Sequence, residues 1–248
     1  AKELKGRVVF LRPLASDLDE LEKLRNECLE MGLSPKESYA MLRNPLKTEV
    51  LECLKRDQGQ LCVYCMCKIP REDRDPGIKG ETIEHFIPID PKDKRDVGQG
   101  LDYKNLFAVC HGNTRMRQRG VRRTSSTDNL TCDKHRENVE FRKINPCQEE
   151  TLKTIFYTMD GKIGSTGPDV EFDLVDTLNL NCPSAPIISE RKAVLDALIE
   201  QLGEVEEDNL HNFCVSRLEV FLNEREVKTP YVGVLIWYLK SMIQALEA

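Results

Sequence analysis

Histidine is scarce in this chain: 248 residues carry 4 of them, so each one is a placement to explain. Long apolar runs are missing too. The longest strongly apolar stretch, Val232 to Leu239, is far too short to span a bilayer, and no membrane partner is expected. The opening residues, AKELKGRVVF, lack the continuous apolar core of a signal peptide, so the expected compartment is the cytoplasm. Positive charge does not dominate. A formal net charge of -6 excludes a uniformly basic nucleic-acid coat, though not a local basic patch. There is no P-loop, so any nucleotide dependence has to come from another chain. Internal repeats and low-complexity tracts are absent as well. With 40% apolar and 31% charged residues, the composition is that of a folded globular protein, long enough for one large domain or two small ones.

Cysteine, by contrast, is abundant, at 10 residues. Disulfides are rare in the expected compartment, so another use is needed. Cys62, Cys65, Cys67, Cys110 and Cys132 gather in the middle of the chain with His85, His111 and His135, which points to metal ligation. Cys28, Cys53, Cys147, Cys182 and Cys214 are scattered singly and read as small buried hydrophobes. "CVYC" sets Cys62 and Cys65 at the C-x-x-C spacing that lets two thiolates reach one tetrahedral ion. Cys110 and Cys132 are the available second pair, with Cys67 and His111 as rival ligands. A structural Zn2+ with four protein ligands would hold together loops too polar to build a large core.

Three regions are expected along the chain. Residues 1–60 read as a small helical layer, with capping-box spacing at Asp17–Glu20 and at Ser34–Glu37, the second with Pro35 at the first helical position. Residues 61–146 change to short apolar runs, turns and charge, with strands expected in "TIEHFIPI" and "NLFAVC". Residues 147–248 open with a hairpin candidate around Asp160-Gly161, a preferred type I′ pair. Helical patterns follow over Ser189–Leu202, Asn209–Asn223 and Pro230–Leu246. The fold class is therefore α+β.

Within "ETIEHFIPID", Glu84 and His85 stand side by side at a strand end. A carboxylate can hold a hard divalent cation, and an imidazole titrates near neutrality, so together they suit metal-assisted hydrolysis of a phosphodiester. Neighbouring strand residues point to opposite faces, so a bend or bulge is expected to bring them together.

In order, Cys62-x-x-Cys65, "IEHFIP", "LDYKNLFAVC" and "TCDKHR" resemble the HNH endonuclease family, whose core is a ββα-metal fold knotted by zinc. The resemblance implies a zinc-knotted ββα-metal module flanked by N- and C-terminal helical regions. It implies that His85 is the general base, that Glu84 and Asp133 hold a catalytic Mg2+ or Mn2+, and that Asn105 braces the histidine. Arg136 stands where the family has a basic residue. Family members often pair their last two cysteines as C-x-x-C, whereas a long insertion separates Cys110 from Cys132 here. "CHGN" therefore leaves Asn113 as an alternative metal ligand, and His135 as another. The insertion, "RMRQRGVRR", carries Arg115, Arg117, Arg119, Arg122 and Arg123, which with Arg136 are candidate phosphate contacts. From "LKRDQGQLCVYC" through "INP" and "DTLNLN" to the helix bearing Arg191, the chain is also similar to the PtuB-type HNH proteins of Septu and retron anti-phage systems. That similarity implies DNA as substrate and a PtuA-like ABC/SMC-type ATPase as partner. A zinc-stabilised interaction module without activity, and an RNA-cleaving enzyme with the same chemistry, are the competing expectations.

Overall fold

The computed structural model describes residues 18–70, 80–90, 98–114 and 127–248. It is an α+β arrangement of helices around two small sheets. The N-terminal layer comprises α1 (Asp19–Glu30), α2 (Pro35–Met41) and α3 (Leu46–Asp57). Leu18, Leu21 and Cys28 of the first stripe are buried, as are Val50 and Leu54 of the third. α2 begins as expected: the Ser34 hydroxyl accepts from the Glu37 N–H, and the Glu37 carboxylate accepts from the Ser34 N–H at 2.9 Å. α1 is different. Its N-cap is Leu18, without a side-chain cap, and Asp17 lies outside the described residues.

β1 (Glu81–His85) and β2 (Leu106–Cys110) form an antiparallel pair running from Glu81 opposite Cys110 to His85 opposite Leu106. The pairing is consecutive throughout, so the bulge expected near Glu84 is absent. Gln58, at the end of α3, fixes β2 with its amide. Oε1 accepts from the Ala108 N–H at 2.8 Å and Nε2 donates to the Ala108 carbonyl at 2.7 Å. In effect the glutamine acts as a third strand for one residue, satisfying backbone groups that burial would otherwise leave unpaired. One helical turn, α4 (Asp133–Arg136), follows Cys132.

β3 (Ile155–Tyr157) and β4 (Ile163–Ser165) form the expected hairpin. Its turn is not type I′, which needs positive φ at both central residues; only Gly161 of the Asp160-Gly161 pair has it, at 87°. The Thr158 N–H donates to the Lys162 carbonyl and the Gly161 N–H to the Thr158 carbonyl, so a three-residue loop closes the strands and glycine takes the left-handed position.

α5 (Pro168–Phe172) runs into a single π turn over Asp173–Thr177, where the buried Asp173 carboxylate accepts from the N–H groups of Arg142, Lys143 and Ile144. Three long helices end the chain: α6 (Ile187–Gly203), α7 (Glu207–Asn223) and α8 (Val232–Leu246). α8 buries Val232, Val234, Leu235, Ile236, Leu239 and Ile243, each worth about 1.5–3 kcal/mol when removed from water. The chain entering α8 crosses the C-x-x-C turn, with the Tyr231 N–H donating to the Met66 carbonyl at 2.8 Å and Lys228 N–H to Gly59 at 2.9 Å. Cys28, Cys182 and Cys214 are buried as single hydrophobes, whereas Cys53 and Cys147 are only half-buried. Among the described residues, no helix is long and apolar enough to cross a membrane.

Candidate functional site

Cys62 to Cys67 fold into a tight turn. The Met66 N–H donates to the Cys62 carbonyl at 3.0 Å, the Cys62 N–H to the Cys67 carbonyl at 2.9 Å, and Met66 takes positive φ. The turn points the Cys62 and Cys65 thiols at the end of β2, where Cys110 waits. Cys132 comes from the other side of the long insertion, and residues far along the chain place it. The Leu178 carbonyl accepts from the Cys132 N–H at 2.9 Å, and the Asn179 amide donates to the Asp128 and Leu130 carbonyls.

The Sγ atoms of Cys62, Cys65, Cys110 and Cys132 all lie within 4.8 Å of one another, and all four residues are buried. Cys65 to Cys110 and Cys110 to Cys132 are each 3.8 Å. A tetrahedron with metal–sulfur bonds of about 2.3 Å has edges of about 3.8 Å, so the quartet fits a tetrahedral ion such as zinc. Cys67 is buried beside this set, and Cys110, Cys62 and Cys65 push its thiol well above the ordinary range. His111, the other rival, is buried but outside the quartet. Hydrogen bonds from Cys110, Cys132 and Cys62 hold the Cys65 thiol well below its ordinary range, and the contact with Cys110 pushes Cys132 well above it. Four crowded, buried thiols make a divalent ion their natural common counter-charge.

One strand away is the second cluster. Glu84, His85 and Asn105 are buried, and Asp133 is half-buried at the start of α4. The carboxyls of Glu84 and Asp133 are close enough to shift each other's titration. Burial and then the Asp133 charge push Glu84 well above the usual carboxylate range. Burial pushes Asp133 up as well, but the Glu84 carboxyl and the Lys134 ammonium, 2.7 Å away, outweigh it and hold Asp133 low. Two crowded acidic groups of this kind are a place that a hard cation can take.

Beside them His85 is fixed by its far nitrogen: Nε2 lies 3.0 Å from the Gly100 carbonyl. A carbonyl only accepts, so Nε2 carries the proton of the neutral ring and Nδ1 keeps its lone pair. Burial lowers the His85 pKa below its ordinary value, which favours the neutral ring. Gly100 also lets α2 pack closely here, since a Cβ there would stand 2.0 Å from the Pro35 carbonyl oxygen. Asn105 secures both neighbouring segments. Its Oδ1 accepts from the Ile87 N–H at 2.7 Å, and Nδ2 donates to the Ile87 and Gln99 carbonyls at 3.0 and 3.2 Å.

Arg136 requires a correction. Expected as a phosphate contact, its side chain is 0% exposed and engaged throughout. Nη1 donates to Glu84 Oε1 at 2.5 Å and to the Tyr64 hydroxyl at 3.0 Å, Nη2 to the Phe86 carbonyl at 2.6 Å, and Nε to the Val139 carbonyl at 2.7 Å. The guanidinium also lies 4.1 Å over the Phe141 ring. It ties Glu84 to α4 and cannot reach a nucleic acid. Arg136→Met is expected to lower stability by about 3–5 kcal/mol, because it leaves a buried carboxyl without its cation. A denaturation midpoint equal to that of the wild type would show the pair to be dispensable.

Each alternative ligand has a backbone partner. Asn113 donates its amide to the Asn129 carbonyl at 2.7 Å, and the His135 Nδ1 is 2.9 Å from the Thr177 carbonyl. Arg115, Arg117, Arg119, Arg122 and Arg123 lie outside the described residues. One neighbour was not foreseen from the sequence. Tyr39 of α2 meets His85 edge to face, ring centroids 4.5 Å apart, and its hydroxyl is pushed up to about 12 by burial and then by Glu84 and Asp133. Leu178 and Asn179 were likewise unforeseen as supports of Cys132. No protein-family model matches the chain, and comparison with curated proteins returns no match.

Proposed function

We propose that the chain is a metal-dependent endonuclease of the HNH type that hydrolyses phosphodiester bonds in DNA. The observation that carries this reading is the meeting of the Glu84 and Asp133 carboxyls next to an anchored, neutral His85. The antiparallel β1–β2 pair, the short α4 and the four-cysteine knot beneath them have the order expected of a zinc-knotted ββα-metal module.

The residues divide the chemistry among them. His85 Nδ1, free of the proton that sits on Nε2, takes the proton of an attacking water as its oxygen bonds to phosphorus and the bond to the leaving oxygen breaks. Glu84 and Asp133 are the residues that would hold Mg2+ or Mn2+, which when bound supplies positive charge against the phosphate and the leaving oxygen. Asn105 keeps the segments on either side of His85 in register, and Arg136 keeps Glu84 facing Asp133. Partnership with a PtuA-like ATPase in anti-phage defence is the extension that the resemblance supplies, and the C-terminal helices α6–α8 offer surface for it.

The test is cleavage of labelled DNA and of transfer RNA by the purified chain, with and without Mg2+ or Mn2+ and with and without the ATPase. Cleavage of DNA that requires the ion is expected. Cleavage of RNA alone would transfer the same chemistry to the other polymer. Failure to cut either substrate in every arm would leave an interaction module stabilised by its cysteine knot.

A further inference from the structure

The catalytic cluster has a wall that the β1–β2–α4 unit does not provide. α2 of the N-terminal layer is set against it at three points. The Pro35 carbonyl packs on Gly100, the residue that anchors His85 Nε2. Lys36 pairs with Asp90 at 2.6 Å, just past the strand that carries Glu84 and His85. The Tyr39 ring stands at 86° to the His85 imidazole with centroids 4.5 Å apart. The Lys36–Asp90 pair is exposed and contributes little, so the two buried contacts carry the placement.

Beyond the tyrosine, Lys47 of α3 holds its ammonium 4.9 Å from the Tyr39 ring centroid. It is half-buried, and no acid among the described residues pairs with it. The other described cations near the cluster are committed, Arg136 to Glu84 and Lys134 to Asp133. We propose that the N-terminal helical layer completes the nuclease site, with Tyr39 as a positioning residue that orients the His85 ring and Lys47 as the cation that meets the substrate phosphate. This rests on the nuclease reading and extends it to residues outside the motif.

Among the described residues the imidazole has one hydrogen bond to hold it, and a single bond leaves rotation about its own axis open. An aromatic edge-to-face contact removes that freedom, and a misplacement of about 1 Å at a reacting group costs on the order of 100-fold in rate. Lys47 would act differently, binding the phosphate in ground and transition states alike.

Four chains are to be compared by steady-state cleavage and by DNA binding at several salt concentrations: wild type, Tyr39→Leu, Tyr39→Phe and Lys47→Gln. Tyr39→Leu is expected to lower kcat roughly 10- to 100-fold with KM little changed. Tyr39→Phe, which keeps the ring, restores kcat to within about threefold of wild type. Lys47→Gln raises KM and reduces the salt slope of binding by about 1, with kcat held. Full kcat in Tyr39→Leu, or equal losses in Tyr39→Leu and Tyr39→Phe, overturns the positioning role while leaving the nuclease intact. An unchanged salt slope in Lys47→Gln overturns the phosphate contact, and that variant alters a half-buried residue whose ammonium makes no ion pair with a described acid, so folding does not obscure the result. A wild type that cuts nothing removes the nuclease reading and this inference together.

Discussion

Chelation of the ion expected at Cys62, Cys65, Cys110 and Cys132 will unfold the centre of the molecule rather than merely silence it. The four thiols belong to three separate segments: the C-x-x-C turn, the end of β2, and the residue that opens α4. Ile69, Leu101, Leu106, Val109 and Leu130, on the segments between them, are buried, so losing the ion releases core residues along with the knot. Apparent binding free energies of structural zinc run to about 10–16 kcal/mol near pH 7, which equals or exceeds the whole stability of an ordinary domain. Cys132→Ala should therefore lose its zinc and unfold at much lower denaturant, as should the wild type in a strong chelator. Cys28→Ala is the control. Cys28 is also buried, but it sits alone on α1, and its loss should cost about 1 kcal/mol. Metal analysis should find one zinc per folded chain. Similar midpoints for the Cys132 and Cys28 variants would mean that the quartet is four packed thiols and no more.

Local signals in the sequence were read well. The Ser34–Glu37 box with Pro35, the short apolar run around Glu84, and the apolar stripes of α6 to α8 each depend on residues within one or two turns of each other. The quartet was legible for a different reason, since thiolates have few other uses at that spacing. The errors arose where a partner lies far along the chain. Arg136 looked like a surface cation because a basic residue usually is one; its burial follows from Tyr64, Glu84 and Phe86, which the sequence places 50 or more residues away. Tyr39 carried only a helical-face signal, and nothing local says that the ring under it is His85. The Asp160-Gly161 turn erred on a finer point: one positive φ suffices when the loop has three residues. Asn105, which the family pattern sets to brace the histidine, has its amide on the Ile87 and Gln99 backbone, two residues past His85 and one before Gly100.

Replacing His85 with alanine is expected to reduce cleavage by about 100- to 10,000-fold, the range over which general bases act, while zinc content and unfolding midpoint stay near those of the wild type. The structure gives reasons for both halves. Among the described residues the ring makes one hydrogen bond, to the Gly100 carbonyl, and one aromatic contact, to Tyr39; neither belongs to the cysteine quartet or to the Glu84–Arg136 pair. Truncation removes a base without uncovering a buried charge. Glu84→Ala makes the contrasting case. It strands the Arg136 guanidinium in the interior, so its loss of activity should come with a loss of stability of several kcal/mol. Asn105→Ala should fall between them, because the loops it clamps can shift before the fold gives way. If His85→Ala cuts DNA at the wild-type rate, the proton goes to some other group and His85 is only a packed ring at a strand end. If it fails to cut but also unfolds, its contacts with Gly100 and Tyr39 carry more of the fold than their geometry implies. A folded, zinc-loaded chain that has lost its activity is the outcome that separates a chemical role for His85 from a structural one.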